Sequence, residues 1–414
     1  MDMGMTLGVI LAAAAGLIMG SGNWPMKLMR KFEFEHWFFI FQVTGLVLVP
    51  WTVTLIAFPN VFQAYRDIPI SVLILSNLCA MCWGVANVLC NLCFVRIGVA
   101  LTGAILTGLG VSVGVTVPMI FKGSGLFKDA ANIASVPGVV IMGAVCVMLG
   151  GVIFASLAGF GRDRELKKLQ KTSGSFLGGL IMTVIAGITS AGISFAFVYS
   201  QDPIISRVTT VQAGQTIKLN VEGNKTLSHT YEVGSDGVIQ LGDKNAPTVE
   251  IAGMSAKAAA DAIAGVLNLS QVPEKDAKVH VDTQNVLAVF PVWAVGLLGG
   301  ALVNIFYPAY LMTKRHNWSV LTTSNKELIL SGIMGIQFFI SVSLNGKGMI
   351  LLGALGASIG FGIQQAMQMI GSQGLGFISG EWKGVHGKPR EQMFIAIGIL
   401  LVAAMILAYS NTLK

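Results

Sequence analysis

Between residues 69 and 94 an apolar stretch carries three amides, Asn77, Asn87 and Asn91, with Gly84 among them and Trp83 at their edge. At 100° per residue the three asparagines share an arc of about 80° on a helix. Side-chain amides in hydrocarbon are costly unless they find partners or line a wet cavity. An aromatic plate beside amide donors and acceptors is chemistry that holds a sugar: the ring stacks on C–H faces while the amides bond hydroxyls. Other apolar stretches add Gln42, Asn304, the pair Gln337 and Ser341, and the pair Gln364 and Gln368, each pair at i,i+4. A single amide is commonly glue between helices, but the collection across five stretches favours a polar central cavity. The leading substrate contacts are Trp83, Asn87, Asn91 and Gln337, with Gln42, Asn304, Gln364 and Gln368 behind them.

No Asp, Glu, Lys, Arg or His sits in the middle of any of these stretches; His36, Glu327 and Glu381 lie at their ends. A cavity without charge suits a neutral polyol and leaves no membrane-buried proton carrier. Glu35 and Glu381 are the candidates for interfacial gate or proton-linked groups. The spacing of Cys79, Cys82, Cys90 and Cys93 imitates a zinc pattern. The two pairs, however, are separated by about 16 Å along one helix, whereas zinc ligands sit about 2.3 Å from one ion. Packing cysteines are expected, Cys146 included, with no metal site and no cofactor. His229 and His280 have no nucleophile at a recognisable spacing, so an enzyme is the least supported reading.

These residues need elements to hold them, and composition says which. Of 414 residues, 54% are hydrophobic and only 11% charged, against about 25% charged in a soluble domain. That balance excludes a cytosolic enzyme, a disordered scaffold and a disulfide-built secreted domain. Apolar runs long enough to cross about 30 Å of hydrocarbon occur at 5–23, 37–58, 69–94, 98–121, 137–160, 177–200, 288–312, 328–345, 349–372 and 392–410. The first six residues carry one charge, Asp2, and no basic leader region, so the first run is expected to be a retained helix.

The net charge of +7 does not point to nucleic acid, because it is unevenly placed. Residues 202–287 hold 7 basic and 10 acidic side chains, whereas the rest of the chain holds 20 and 10. An acidic, soluble-like domain is therefore inserted between the sixth and seventh runs, giving the expected organisation 1–201, 202–287 and 288–414. Alternate loops of the remainder carry 15 and 5 basic residues. The positive-inside rule puts the fifteen in the cytoplasm of a bacterial inner-membrane protein, with both termini and the insert on the extracytoplasmic side. Five spans per half also make the halves inverted repeats. The expected fold is an all-α polytopic membrane protein of ten transmembrane helices, with a small α/β domain inserted.

Within the insert, 216–221, 231–233, 238–241 and 248–251 alternate as strands, Asp236-Gly237 marks a turn, and 254–267 is an Ala-rich helix with Ser255 as N-cap. A short strand at 279–281 closes the pattern. Two spans also carry one-sided small faces: Gly103, Thr107, Gly110 and Gly114, then Thr183, Gly187, Ser190 and Ser194. Such faces serve either close helix packing or a solvated pathway.

Taken in order, several short pieces resemble the L-rhamnose–proton symporter family of the drug/metabolite transporter superfamily. They are Pro25-x-Lys27, Glu35-x-Trp37, Pro50-Trp51, Pro59-Asn60, Trp83-Gly84-x-x-Asn87, Arg96-x-Gly98 and Pro118. Further on come Ser190-Ala191-Gly192-x-Ser194, Gly299-Gly300 with Asn304, Gln337-Phe338-Phe339 and Glu381-Trp382. The resemblance implies uptake of L-rhamnose or a related sugar, driven by protons, through two inverted five-helix repeats. The insert is not part of the ordinary family pattern. Its Ala213-Gly214-Gln215, Tyr231-x-Val233, Asp236-Gly237-x-Ile239 and Val249-x-Ile251-Ala252-Gly253 resemble the periplasmic domain of polysaccharide export proteins. That resemblance implies a domain that binds a saccharide, a periplasmic protein or another copy, or that passively shapes access. Two rivals stay open beside a coupled transporter: an uncoupled facilitator, and a membrane-anchored glycan-sensing or assembly component.

Overall fold

The computed structural model describes residues 3–97, 99–120, 132–166, 176–221, 227–242, 246–269, 279–283, 285–353 and 356–413. In chain order the long helices begin with α1 (Met3–Ser21), α2 (Phe34–Ala57), α3 (Ile70–Ile97), α4 (Val99–Ile120), α5 (Val136–Glu165) and α6 (Leu177–Val208). A strand-bearing segment with α7 (Ala256–Leu269) follows, then α8 (Val289–Gly296), α9 (Leu298–Arg315), α10 (Asn325–Leu352), α11 (Gly356–Ile378) and α12 (Lys388–Ser410). Among the described residues seven helices are long and apolar enough to cross a membrane, or eight if the bent pair α8–α9 is one span. The chain is thus a mostly helical, multi-pass membrane protein. Of the other two long apolar helices, α4 offers a described apolar run only over Ile105–Ile120. The second, α11, is diluted by Gln364, Gln365, Gln368 and Gln373.

Local signals set many helix ends. Ser135 Oγ accepts from Gly138 N at 3.2 Å to start α5, and Ser324 Oγ accepts from Glu327 N at 3.4 Å to start α10. His316 takes a left-handed conformation, φ 50°, to end α9. Elsewhere packing overrides local signal. The sequence Asn345-Gly346-Lys347-Gly348 reads as a turn between two spans, yet α10 runs through it to Leu352. A Cβ on Gly346 would lie 2.7 Å from the Phe197 ring, and one on Gly348 would lie 2.9 Å from Gly8 O. Tertiary contact holds these glycines helical against their propensity.

The chain divides into two compact units, the first comprising Met1–Pro50, Ile74–Tyr199 and Trp293–Lys414. Its packing relies on small residues, as expected where lipid removes the hydrophobic drive between helices. Every fourth residue of α1 from Gly8 (Gly8, Ala12, Gly16, Gly20) is buried or nearly so, and α1 packs on α10 and α11. A Cβ on Gly16 would sit 2.3 Å from Gln364 O, and one on Gly20 would sit 2.0 Å from Gln368 O. The small faces of α4 and α6 behave alike: a Cβ on Gly110 would meet Ser190 Oγ at 2.5 Å, and one on Gly187 would meet Leu109 at 2.7 Å. Both faces are used at these positions for helix packing. An apolar cluster of α4, α5, α11 and α12, with Ile141, Met148, Ile359 and Leu407 at its centre, completes this core.

The second unit comprises Trp51–Leu73 and Ser200–Val292. Its central strand β1 (Thr216–Val221) pairs antiparallel with β2 (Thr230–Glu232) and β5 (Val279–Asp282), while β3 (Val238–Gln240) and β4 (Thr248–Glu250) form a hairpin. Alternation along β1 buries Ile217, Leu219 and Val221 against Ala259, Ile263 and Leu267 of α7. The first strand begins well beyond residue 202, because α6 runs on through Asp202 to Val208. In the 51–73 segment Trp51 stacks on Phe62, and the Tyr65 hydroxyl donates to Pro291 O at 2.7 Å. Burial pushes the Tyr65 phenol above its usual range.

Gly265, inside α7, has nothing within 4 Å of the Cβ it lacks. Gly265→Ala is expected to stabilise the chain by about 0.5–1 kcal/mol. Gly237, with φ +83° and Ala252 Cβ 2.7 Å from its missing Cβ, should show the reverse on replacement by Ala. The thermal midpoints of the two variants check both.

Candidate functional site

The site is assembled around the middle of α3. Here two interrupted helices meet one continuous one: α6 breaks at Ala191, and α8–α9 bends by 46° at Leu297. A Cβ on Gly192 would lie 2.2 Å from Cys79 O, and one on Gly299 would lie 2.0 Å from Asn77 O. Only glycine permits either approach. The break leaves the first amides of α9 without partners in their own helix, and Asn77 Oδ1 accepts one of them, Gly299 N, at 2.6 Å. Asn77 therefore caps another helix.

Next along α3, Trp83 is buried and stacks on Phe338 of α10, centroids 5.8 Å apart at 20°. Phe338 also meets Phe41 of α2 edge-on at 5.8 Å. A Cβ on Gly300 would lie 2.9 Å from the Trp83 ring. Gly84 admits Asn304, whose Nδ2 would lie 3.3 Å from a Cβ there. Asn304 is fully buried; its Nδ2 donates to Gly300 O at 3.0 Å. Asn304 Oδ1 and Gln42 Oε1 are buried acceptors without a hydrogen-bond partner among the described residues. These two amides sit on α9 and α2, which pack on each other. A buried unpaired acceptor costs about 1–3 kcal/mol, so the arrangement favours an arriving donor such as a hydroxyl. Beside Phe41 and Phe338 lies a cavity of about 50 Å³, room for a water or two.

The other sequence candidates fall elsewhere. Asn87 lies half-buried on α3 and is engaged. The side chain of Asn91 lies outside the described residues. Gln337 is bonded at both ends of its amide: Nε2 donates to Ile18 O at 2.9 Å, and Oε1 accepts from Trp24 Nε1 at 3.2 Å. Ser341 Oγ donates to Ala15 O at 2.7 Å, so this pair fastens α10 to α1. Gln364 and Gln368 present their backbone carbonyls to Gly16 and Gly20. Sequence reasoning missed Phe41 and Phe338 as ring partners, and also Asn345, buried with an unpaired Oδ1. Asn345 continues the i,i+4 series of Gln337 and Ser341, a signal available in the sequence.

Charged groups gather at helix ends. Glu35, 1% exposed, accepts from Arg315 at 2.8 Å and from Asn317 Nδ2 at 2.9 Å, linking α2 to the end of α9. His36 Nδ1 accepts from Glu33 N at 3.1 Å, which leaves Nε2–H to donate to Asn317 O at 3.2 Å. Glu381 pairs with Lys27 at 2.5 Å and with Arg162 at 3.1 Å, joining three chain segments. Glu327, also buried, accepts backbone amides of Arg30, Lys31 and Phe32 at 2.7–3.1 Å. Among the described residues the five cysteines are unbridged.

The geometry is that of a multi-pass membrane protein with buried amides between its helices and ion pairs at its helix ends. The family model of the L-rhamnose-proton symport protein (RhaT) matches residues 1–214, and the chain belongs to that family. Similar curated proteins are L-rhamnose-proton symporters of Yersinia pestis bv. Antiqua (strain Antiqua) and Yersinia pseudotuberculosis serotype O:3 (strain YPIII). Each is 28% identical over 172 residues, which is 42% of this chain and 49% or 48% of the relative. The chain thus spans about half the length of the relatives it matches. No solved structure matches. Glu35, Gln42, Trp83 and Asn87 fall inside the family match; Asn304, Gln337 and Glu381 fall beyond it.

Glu327→Ala would strand three backbone amides. At about 1 kcal/mol or more per bond to a charged group, the variant is expected to lower the thermal midpoint of the detergent-solubilised chain markedly. Glu391→Ala, on the exposed start of α12 and without a described side-chain hydrogen bond, should leave it nearly unchanged.

Proposed function

We propose that the chain is a secondary transporter that imports L-rhamnose or a related neutral sugar, coupled to protons, by alternating access. The observation that carries this reading is the pair of buried, unpartnered acceptors, Gln42 Oε1 and Asn304 Oδ1, on two helices that pack together, with Asn304 beside Gly84, next in the chain to the stacked Trp83. A pyranose supplies hydroxyl donors for the amides and a C–H face for the ring. The family match supports the substrate class. On this reading Trp83, Asn304 and Gln42 touch the sugar, with Asn87, Asn91, Gln364 and Gln368 lining its route. Gln337 shapes the site from outside by holding α1. Ten spans form two inverted five-helix repeats in a bacterial inner membrane, with residues 202–287 and both termini extracytoplasmic, as the basic asymmetry of the loops supports.

The cavity beside Phe41 and Phe338, about 50 Å³, is too small for a pyranose, so alternating access requires the helices around it to move apart. Glu35 and Glu381 are then the gate or proton-linked groups, since breaking either ion-pair cluster frees helix ends without disturbing the middle. One observation favours an uncoupled facilitator instead: among the described residues, the charged side chains set furthest into a long helix, Asp202 of α6 and Lys347 of α10, still lie within two turns of its end.

The test is uptake of labelled L-rhamnose by proteoliposomes, with and without an imposed proton gradient. Accumulation above equilibrium under the gradient is expected; equilibration without accumulation would establish the facilitator, and absence of sugar uptake would overturn both. Asn304→Ala and Trp83→Ala are expected to lower initial uptake at least tenfold in correctly inserted protein. Normal uptake by both would remove the proposed site.

A further inference from the structure

Within the second unit lies a separate cleft of about 540 Å³. One wall is the segment after α2, which contributes Asn60, Gln63 and Asp67; the other contributes Arg207, Gln212 and Asn285. Phe58 is the aromatic of the lining. The volume falls in the range of small-molecule sites, about 300–1,000 Å³, and is an order of magnitude larger than the cavity beside Phe338.

The walls are built by backbone hydrogen bonds. Val211 N donates to Met254 O, Gly253 N to Val211 O and Ala256 N to Thr209 O, each at 2.9 Å. On the opposite side Val61 N donates to Phe58 O and Gln63 N to Asn60 O, each at 3.1 Å. Several lining side chains are oriented as well. Asn285 Oδ1 accepts from Leu287 N at 2.9 Å, which leaves its NH2 as a donor. Arg207 spends one N–H on Pro203 O at 2.9 Å, and among the described residues its others have no partner.

The chemistry of this lining selects its ligand. Side-chain amides offer donors and acceptors together, and the single guanidinium is balanced by a single carboxylate. A phosphate or a polyanion wants several cations and no carboxylate; an apolar peptide anchor wants a hydrophobic pocket. Vicinal hydroxyls suit an alternation of amide, carboxylate and guanidinium. We propose that this cleft is a second saccharide site, separate from the transport site and large enough for one or two neutral pyranose units. It deepens the sugar-handling reading above and rests on it only for the class of ligand.

The experiment uses the full chain in lipid nanodiscs, with labelled L-rhamnose and a rhamnose-containing disaccharide in equilibrium dialysis. Asn304→Ala disables the transport site, and Gln63→Ala with Gln212→Ala alters the cleft. Saturable binding that survives Asn304→Ala and weakens at least tenfold when the cleft substitutions are added is the expected result. If the alanine pair lowers the thermal midpoint, the near-isosteric Gln63→Glu with Gln212→Glu replaces it. Binding abolished by Asn304→Ala alone, or unmoved by either cleft pair, would overturn the second site. Sugar uptake by wild-type proteoliposomes alongside such a result would leave the transporter reading intact. Binding at the cleft in a chain that moves no sugar would support the cleft and sink that reading.

Discussion

The rest of the membrane unit depends on one steric constraint: the backbone of α3 near residues 77–83 must accept two other backbones at glycine distance. Gly192 and Gly299 each bring an interrupted helix against it, with carbonyls about 2 Å from where a Cβ would stand. Because the contacts fall at the interruptions, they fix where α6 and α9 restart. The restart of α9 sets the first-turn amide that Asn77 caps, places Gly300 under the Trp83 ring, and carries Asn304 to Gly84. The polar residues of the centre are thus located by the absence of side chains beside them.

A second layer of order comes from charge at helix ends. Glu35, Glu327 and Glu381 each tie segments distant in sequence, and each does so with different chemistry. Glu327 takes backbone amides and so fixes the path of residues 30–32 regardless of their side chains. Glu35 takes a guanidinium and an amide, while half-exposed Glu381 takes Lys27 and Arg162. The buried pair is the more costly to leave broken, and the half-exposed cluster the easier to exchange with water. Rigid and releasable ties therefore stand side by side.

Much of this was legible in the sequence, for reasons that differ by element. Hydropathy located the seven described helices that are long and apolar enough to cross a membrane, because apolar length is what a bilayer demands. Alternation gave β1, since its buried Ile217, Leu219 and Val221 repeat at the period of a strand. The breaks at Ala191 and Leu297 were hidden, because glycines tolerate both a bend and a packed helix. Lys347 was misread as a loop residue because its flanking glycines carry turn propensity, while their packing partners Phe197 and Gly8 lie far away in the chain. At the site, polarity identified Asn304 and Gln42. It could not tell them from Gln337, whose partners on α1 depend on the fold.

The second unit is made of two stretches of chain, Trp51–Leu73 and Ser200–Val292. Its first piece leaves the ribosome long before its second. At about 5–20 residues per second, the intervening chain of roughly 130 residues takes some 6–25 s to make. For that time Trp51, Phe62 and Tyr65 have one another, and the carbonyl of Pro291 that Tyr65 will bond follows it by 226 residues, about 11–45 s. During synthesis the first piece of this unit therefore exists before the strands and helix that complete it, with only its own aromatic contacts to hold it.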